Sequence, residues 1–203
     1  MTLSKSDLRS QFPTLESDRL VLRQITLEDT VELYPILMDP QVKRFISFSR
    51  STLLFPERMQ RYFEDCRSTL TSLHFIVTLK SGGDVIGLCS FQRWNERKAQ
   101  AVIGYLIAPQ YWDQKYATEA AKTLLDFGFL ELKLKVVHAT CHTNNVASHK
   151  VLLHCGFQLA EHGRIPFLAP GSPRSTEHQY VRIASSEQQS SDGVFCHTNE
   201  MLL

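Results

Sequence analysis

Ile103-Gly104-Tyr105-Leu106-Ile107-Ala108-Pro109-Gln110-Tyr111-Trp112-Asp113-Gln114-Lys115-Tyr116-Ala117-Thr118-Glu119-Ala120 is the stretch whose reading decides the fold. Its first five residues read as a strand, and residues 111–118 form a short polar loop that opens a helix. A second strand and a second helix, started by Asn144-Asn145 and stopped by Gly156-Phe157, follow. A strand that runs through a loop into a helix start suits an anion such as a phosphate or pyrophosphate. The first-turn N–H groups have no intrahelical acceptor, and the helix dipole favours negative charge there.

Working outward, residues 18–25 alternate as a strand, and Thr26 with Asp29 three residues later forms a capping box for a helix that Asp39-Pro40 ends. A second helix starts near Pro56 and sets Met59, Tyr62, Phe63, Cys66 and Leu70 on one face. Strands at about 73–80, 85–94 and 99–108 are joined by the tight turns 81–84 and 95–98, as in an antiparallel meander. Beyond the loop come a helix burying Ala121, Leu124, Leu125 and Gly128, a strand at about 135–142, a helix at about 145–155, and strands at about 157–162 and 177–183. The order describes an α/β domain over 14–184 whose twisted sheet is mixed but mainly antiparallel, with six to seven strands and about four helices. Residues 1–13 read as an extension, 166–176 as a Pro/Gly/Ser-rich loop, and 185–203 as a polar, flexible tail.

The 203 residues suffice for one domain with a full core, and a net charge of +1 without a block of Lys and Arg argues against a nucleic-acid binder. Five cysteines without C-x-x-C or zinc-like spacing read as small buried hydrophobes, and no metal is expected. The N-terminus lacks the apolar run of a signal peptide, and no stretch has the length of a membrane span. A cytoplasmic protein, monomer or homodimer, is the expectation.

These residues resemble the GNAT superfamily of acetyl-CoA-dependent N-acetyltransferases, and within it the Rim-type branch that acetylates N-terminal amines of ribosomal proteins. The resemblance spans roughly residues 14–184. It is carried by Leu15-Glu16-Ser17-Asp18-Arg19-Leu20-Val21-Leu22-Arg23, by Ile103-Gly104-Tyr105-Leu106-Ile107, by Tyr116-Ala117-Thr118-Glu119-Ala120, and by Asn145-Val146-Ala147-Ser148 before Val151-Leu152 and Gly156-Phe157. It implies a splayed strand whose backbone at Tyr105, Leu106 and Ile107 pairs with the pantetheine of acetyl-CoA. It implies a pyrophosphate cradle made by Asp113, Gln114, Lys115, Tyr116, Ala117 and Thr118, and a contact from Asn145. In this branch the residue matching Ser148 is the candidate general acid for the departing thiolate. The implied partners are acetyl-CoA and an amine, either a peptide N-terminus or a small molecule.

The chain departs from the family pattern in two places. Arg or Gln, two residues, Gly, one residue, then Gly or Ala falls on Trp112, Lys115 and Ala117, and Asp113 stands where glycine is frequent. A side chain at Lys115 must point away or offer its charge to a phosphate, and an inward Asp113 would repel it. The glutamate often found just before Ile-Gly-Tyr is also missing, since Ala101-Val102 precede Ile103. His142, which shares a strand face with His138 and lies near the start of the Asn145 helix, is the weak base candidate. These departures keep a second reading open, a GNAT-fold acyl-CoA sensor or interaction module with little or no catalysis. Asn145 and Ser148 have a plain structural reading as a helix cap, and Tyr111-Trp112 as a buried edge of the loop.

Overall fold

The computed structural model describes residues 3–46, 55–160, 177–185 and 188. Among them, α1 (Lys5–Ser10), β1 (Leu15–Glu16), β2 (Leu20–Gln24), α2 (Leu27–Met38), α3 (Pro40–Lys43) and α4 (Pro56–Thr69) form the first part. Then come β3 (Leu73–Leu79), β4 (Val85–Asn95), β5 (Gln100–Ile107), a 3-10 turn (Pro109–Tyr111) and α5 (Tyr116–Leu130). The last part is β6 (Val136–His142), α6 (Val146–His154), β7 (Gln158–Leu159) and β8 (Glu177–Ile183).

The eight strands make one sheet in the order β1-β2-β3-β4-β5-β6-β8-β7. Every neighbouring pair is antiparallel except β5 and β6, which run parallel because α5 carries the chain back across the sheet. The α/β class and the mainly antiparallel sheet match the sequence reading. The sheet has eight strands rather than six or seven, and the described residues hold six α-helices rather than about four. The surplus consists of short pieces below the reach of periodicity: the two-residue β1, the four-residue α3, and α1.

Helix α1 lies within the segment expected to be an extension. A capping box between Ser4 and Asp7 starts it, and Leu8, 2 % exposed, enters the main core. The strand expected at 157–162 is described only as Gln158–Leu159. Residues 161–176, and the tail apart from Ser185 and Gln188, lie outside the described residues.

Strand alternation divides the core in two. Odd-numbered residues of the central strands, such as Phe75, Cys89, Phe91, Ile103 and Cys141, join the cluster under α5 and α6. Even-numbered ones, such as Ile76, Leu88 and Leu106, meet α2 and α4. Helix α5 lies close on the sheet because Gly128 has no side chain: a Cβ there would stand 2.5 Å from the Phe91 ring.

Candidate active site

Strands β5 and β6 pair through Gln100↔Val136, Ala101↔Val137 and Val102↔His138, and there the pairing ends. Both strands continue, β5 against β4 as far as Gly87↔Ile107 and β6 against β8 as far as His142↔Glu177. They therefore diverge as a wedge with a strand edge on each wall. The backbone of β5 alternates between its two neighbours. The Ala108 N–H bonds the Ile86 carbonyl at 2.8 Å, and a Cβ on Gly87 would meet the Leu106 carbonyl at 2.1 Å, so the even residues face β4. Tyr105 and Ile107 turn their backbone groups into the wedge. The expectation of three free backbone positions thus narrows to two, with Leu106 committed to β4. The Ile107 carbonyl is also taken, accepting the indole N–H of Trp112 at 2.7 Å. Trp112 is 40 % exposed rather than a buried edge.

The loop then enters α5 through Asp113 at φ 60° and Lys115 at φ 65°. Both are exposed, and both adopt the left-handed conformation that glycine reaches without steric cost. The chain thus keeps a glycine-type backbone path without the glycines. Lys115 is the residue before α5, and no side chain caps the helix. The first helical bond runs from the Glu119 N–H to the Lys115 carbonyl at 3.0 Å. The N–H groups of Tyr116, Ala117 and Thr118 are left as orphan donors of the first turn.

Arg19, at the edge of β2, holds this loop from outside. Its Nε donates to Glu119 at 2.7 Å, its second nitrogen donates to the Gln114 carbonyl at 3.1 Å, and its guanidinium lies 4.2 Å from the centre of the Tyr116 ring. Burial acts to raise the Glu119 pKa, but the Ser17 hydroxyl and the Arg19 N–H and guanidinium hold the carboxyl below the usual carboxylate range. The one acidic residue in the first turn of α5 is therefore neutralised locally. Sequence reasoning missed Arg19, because nothing local to it points to residues about a hundred positions away.

On the opposite wall Asn145 caps α6, its side-chain oxygen accepting the Ser148 N–H at 3.1 Å. The Ser148 hydroxyl lies 3.0 Å from the phenol oxygen of Tyr105, which is also 3.2 Å from the Ser148 carbonyl. Burial raises the Tyr105 pKa well above the ordinary phenol value, outweighing the Ser148 hydrogen bond. The Cys141 thiol is likewise pushed up by burial, with Ser148 acting in the other direction.

His142 lies at the end of β6 with its Nδ1 accepting the Asn144 N–H at 3.2 Å and its ring 6.0 Å from that of Phe45. It belongs to the even face, so it and Ser148 flank the wedge from opposite sides of the sheet. His138, on the same face as His142, is buried with an Nδ1 that has no partner among the described residues, and burial lowers its pKa. A cavity of about 230 Å³ lies between α2, α4 and the start of β3, lined by Gln24, Thr26, Thr30, Glu64, Arg67 and His74 among others. Burial brings the His74 pKa down to about 4, so this imidazole is neutral at pH 7. Among the described residues no three His, Cys, Asp or Glu side chains are grouped to hold a metal ion, and no helix is long and apolar enough to cross a membrane.

Residues 19–158 match the family model described as an acetyltransferase (GNAT) domain. An uncharacterized N-acetyltransferase of Bacillus licheniformis, p20, is 31 % identical over 146 residues, 71 % of this chain and 82 % of that protein. A structure of a ribosomal-protein-serine acetyltransferase from Vibrio cholerae, so described provisionally, superposes with a TM-score of 0.71 at 21 % identity, covering 85 % of this chain and 98 % of that one. The microcin C7 self-immunity acetyltransferase MccE, solved with acetyl-CoA and AMP, superposes with a TM-score of 0.65 at 19 % identity, over 83 % of this chain and 94 % of its own. The fold, the splayed strands and these matches agree: the chain belongs to the GNAT acetyltransferase family and is an acyltransferase.

Proposed function

We propose that this chain transfers an acetyl group from acetyl-CoA directly to an amine, with residues 14–184 forming the working domain. The observation that carries the reading is the wedge between β5 and β6 placed beside the uncapped start of α5. Pantetheine amides add to the open edge of β5 at Tyr105 and Ile107 as a further strand would. The pyrophosphate lies on the N–H groups of Tyr116, Ala117 and Thr118, within the loop of Asp113, Gln114 and Lys115. Asn145 faces the pantetheine arm from the other wall. The acceptor amine enters from the face that carries His142, which accepts its proton directly or through water. Attack on the thioester carbon gives a tetrahedral intermediate, its oxyanion stabilised by a backbone N–H of the 105–107 segment. The C–S bond then breaks, and Ser148 assists the departing thiolate.

A protein N-terminal amine is the acceptor we favour, on the sequence resemblance to the Rim-type branch, and a small amine is the alternative. The reaction needs neither metal nor nucleic acid, and the expected setting is the cytoplasm, as a monomer or homodimer. Calorimetric titration with acetyl-CoA, followed by thiol release over peptides starting with alanine or serine and over spermidine, tests the reading. Absence of heat up to millimolar acetyl-CoA would sink it. Binding without turnover on any amine would favour the acyl-CoA sensor, the reading prompted by Asp113, Lys115 and the missing carboxylate before Ile103.

A further inference from the structure

Tyr105 contributes more than its backbone to the wedge. Its side chain leaves β5 on the α5/α6 face and reaches the first turn of α6, where its hydroxyl meets both oxygens of Ser148. The Ser148 carbonyl lies inside α6, where the regular i+4 helical bond already occupies it. The better acceptor for the phenol proton is therefore the Ser148 hydroxyl oxygen, the shorter of the two contacts.

We propose that Tyr105 is a positioning residue for acetyl transfer: its phenol donates to Ser148 Oγ and thereby turns the serine proton toward the departing sulfur. The proposal rests on the acetyl-transfer reading above and deepens it. A hydroxyl has one proton and two lone-pair directions. With Tyr105 donating to one lone pair, the serine proton is free to leave the Tyr105 axis. In the reverse arrangement, with Ser148 donating to the phenol, that proton would be spent on Tyr105.

Burial keeps the phenol protonated through the whole neutral range, so the donor is always present. No net proton transfer from tyrosine is required. The amine nitrogen bonds to the carbonyl carbon, the C–S bond breaks with its electron pair going to sulfur, and Ser148 donates a hydrogen bond to the thiolate formed. The ammonium proton of the product leaves by the base or solvent. Cys141 adds a second reason for orienting this hydroxyl. Ser148 also bears on the Cys141 thiol, so an unrestrained hydroxyl has a competing sulfur nearby.

The test is a double-mutant cycle on the full chain, following thiol release from acetyl-CoA with the best amine of the panel. Tyr105→Phe keeps the ring and removes only the hydroxyl, and calorimetry on acetyl-CoA checks that the binding site survives. Tyr105→Phe is expected to lower kcat about tenfold, with KM for acetyl-CoA within about twofold. Ser148→Ala is expected to lower kcat at least as much, and adding Tyr105→Phe to it should change nothing further. A purely structural role would instead raise KM or destabilise both backgrounds equally. A kcat for Tyr105→Phe within twofold of the unaltered chain, or losses that multiply in the double variant, would overturn the proposal. No thiol release from the unaltered chain with any amine would remove the acetyl-transfer reading, and this role of Tyr105 with it.

Discussion

Two arginines four residues apart end at two helix starts of opposite kinds. Arg23 closes the start of α2: both terminal guanidinium nitrogens donate to the Asp29 carboxylate at 2.7 Å, and Asp29 forms a capping box with Thr26. Burial acts to raise the Asp29 pKa, yet Arg23 and Thr26 together hold it below the usual carboxylate range. Arg19 leaves the start of α5 open, bonding Glu119 and the Gln114 carbonyl from outside while no side chain caps the first turn. A start whose donors are satisfied from within is a stability element. One whose donors are kept free, with the loop braced around it, is a place for an anion.

The largest effect should come from breaking the closed start. Arg23→Ala leaves a carboxylate that is 5 % exposed without its partner, and the expected loss is about 3–5 kcal/mol in urea denaturation. Acetyl-CoA affinity of the folded protein should hardly change, because α5 rather than α2 is the helix proposed to hold the pyrophosphate.

The cavity behind the closed start adds a pH dependence. His74 titrates near 4 in the folded chain against 6.5 when exposed, so the unfolded state binds the extra proton between those values. Stability should therefore fall as pH drops from about 6.5 to about 4, by roughly 3 kcal/mol at the lower end. His74→Phe should flatten the part of that limb above about pH 5 in denaturation curves taken across the range. Below it, Asp29 and the Glu119 carboxyl at the start of α5, both held below their usual range, also lose stability as they take up protons.

The open start should respond in binding rather than stability. Thr118→Asp puts a carboxylate in the first turn of α5, which favours the helix dipole by about 0.5 kcal/mol but repels a bound phosphate. Acetyl-CoA should bind more than tenfold more weakly by calorimetry, with the melting temperature unchanged or slightly raised. A variant that melts early but binds normally would reverse the comparison.

The smallest effect is expected from Lys115→Gly. Relief of the left-handed strain at φ 65° outweighs the added freedom of the unfolded chain, for a gain of roughly 0.5–1 kcal/mol, or about 2 °C in Tm. Acetyl-CoA affinity within about twofold of the parent would show that the lysine side chain points away from the phosphates. A large gain in affinity would show that it obstructs them.

Much of the fold is legible in residues a few positions apart. Thr26 and Asp29 start α2, Asp39-Pro40 ends it, and the Asn144-Asn145 pair marks the start of α6, with Asn145 as the cap in the structure. The short β1 and α3 were not legible, because two to four residues carry no period and owe their form to the neighbours they meet. The site divides in the same way. The loop and the Asn145 cap follow from local sequence, whereas Arg19 on Glu119 and Tyr105 on Ser148 join residues 100 and 43 positions apart.

The sequence by itself therefore determined the order of elements, the helix ends and the family, since capping and alternation are settled by near neighbours whose side chains reach one another in any context. Only the tertiary structure decided that β5 and β6 part after three residue pairs, that Leu106 turns to β4 while Tyr105 and Ile107 face the wedge, and that α5 opens with free donors through two left-handed residues without glycine. Those outcomes depend on how the strands and helices pack across the sheet, where a shift of one residue in register would turn each group to the other side.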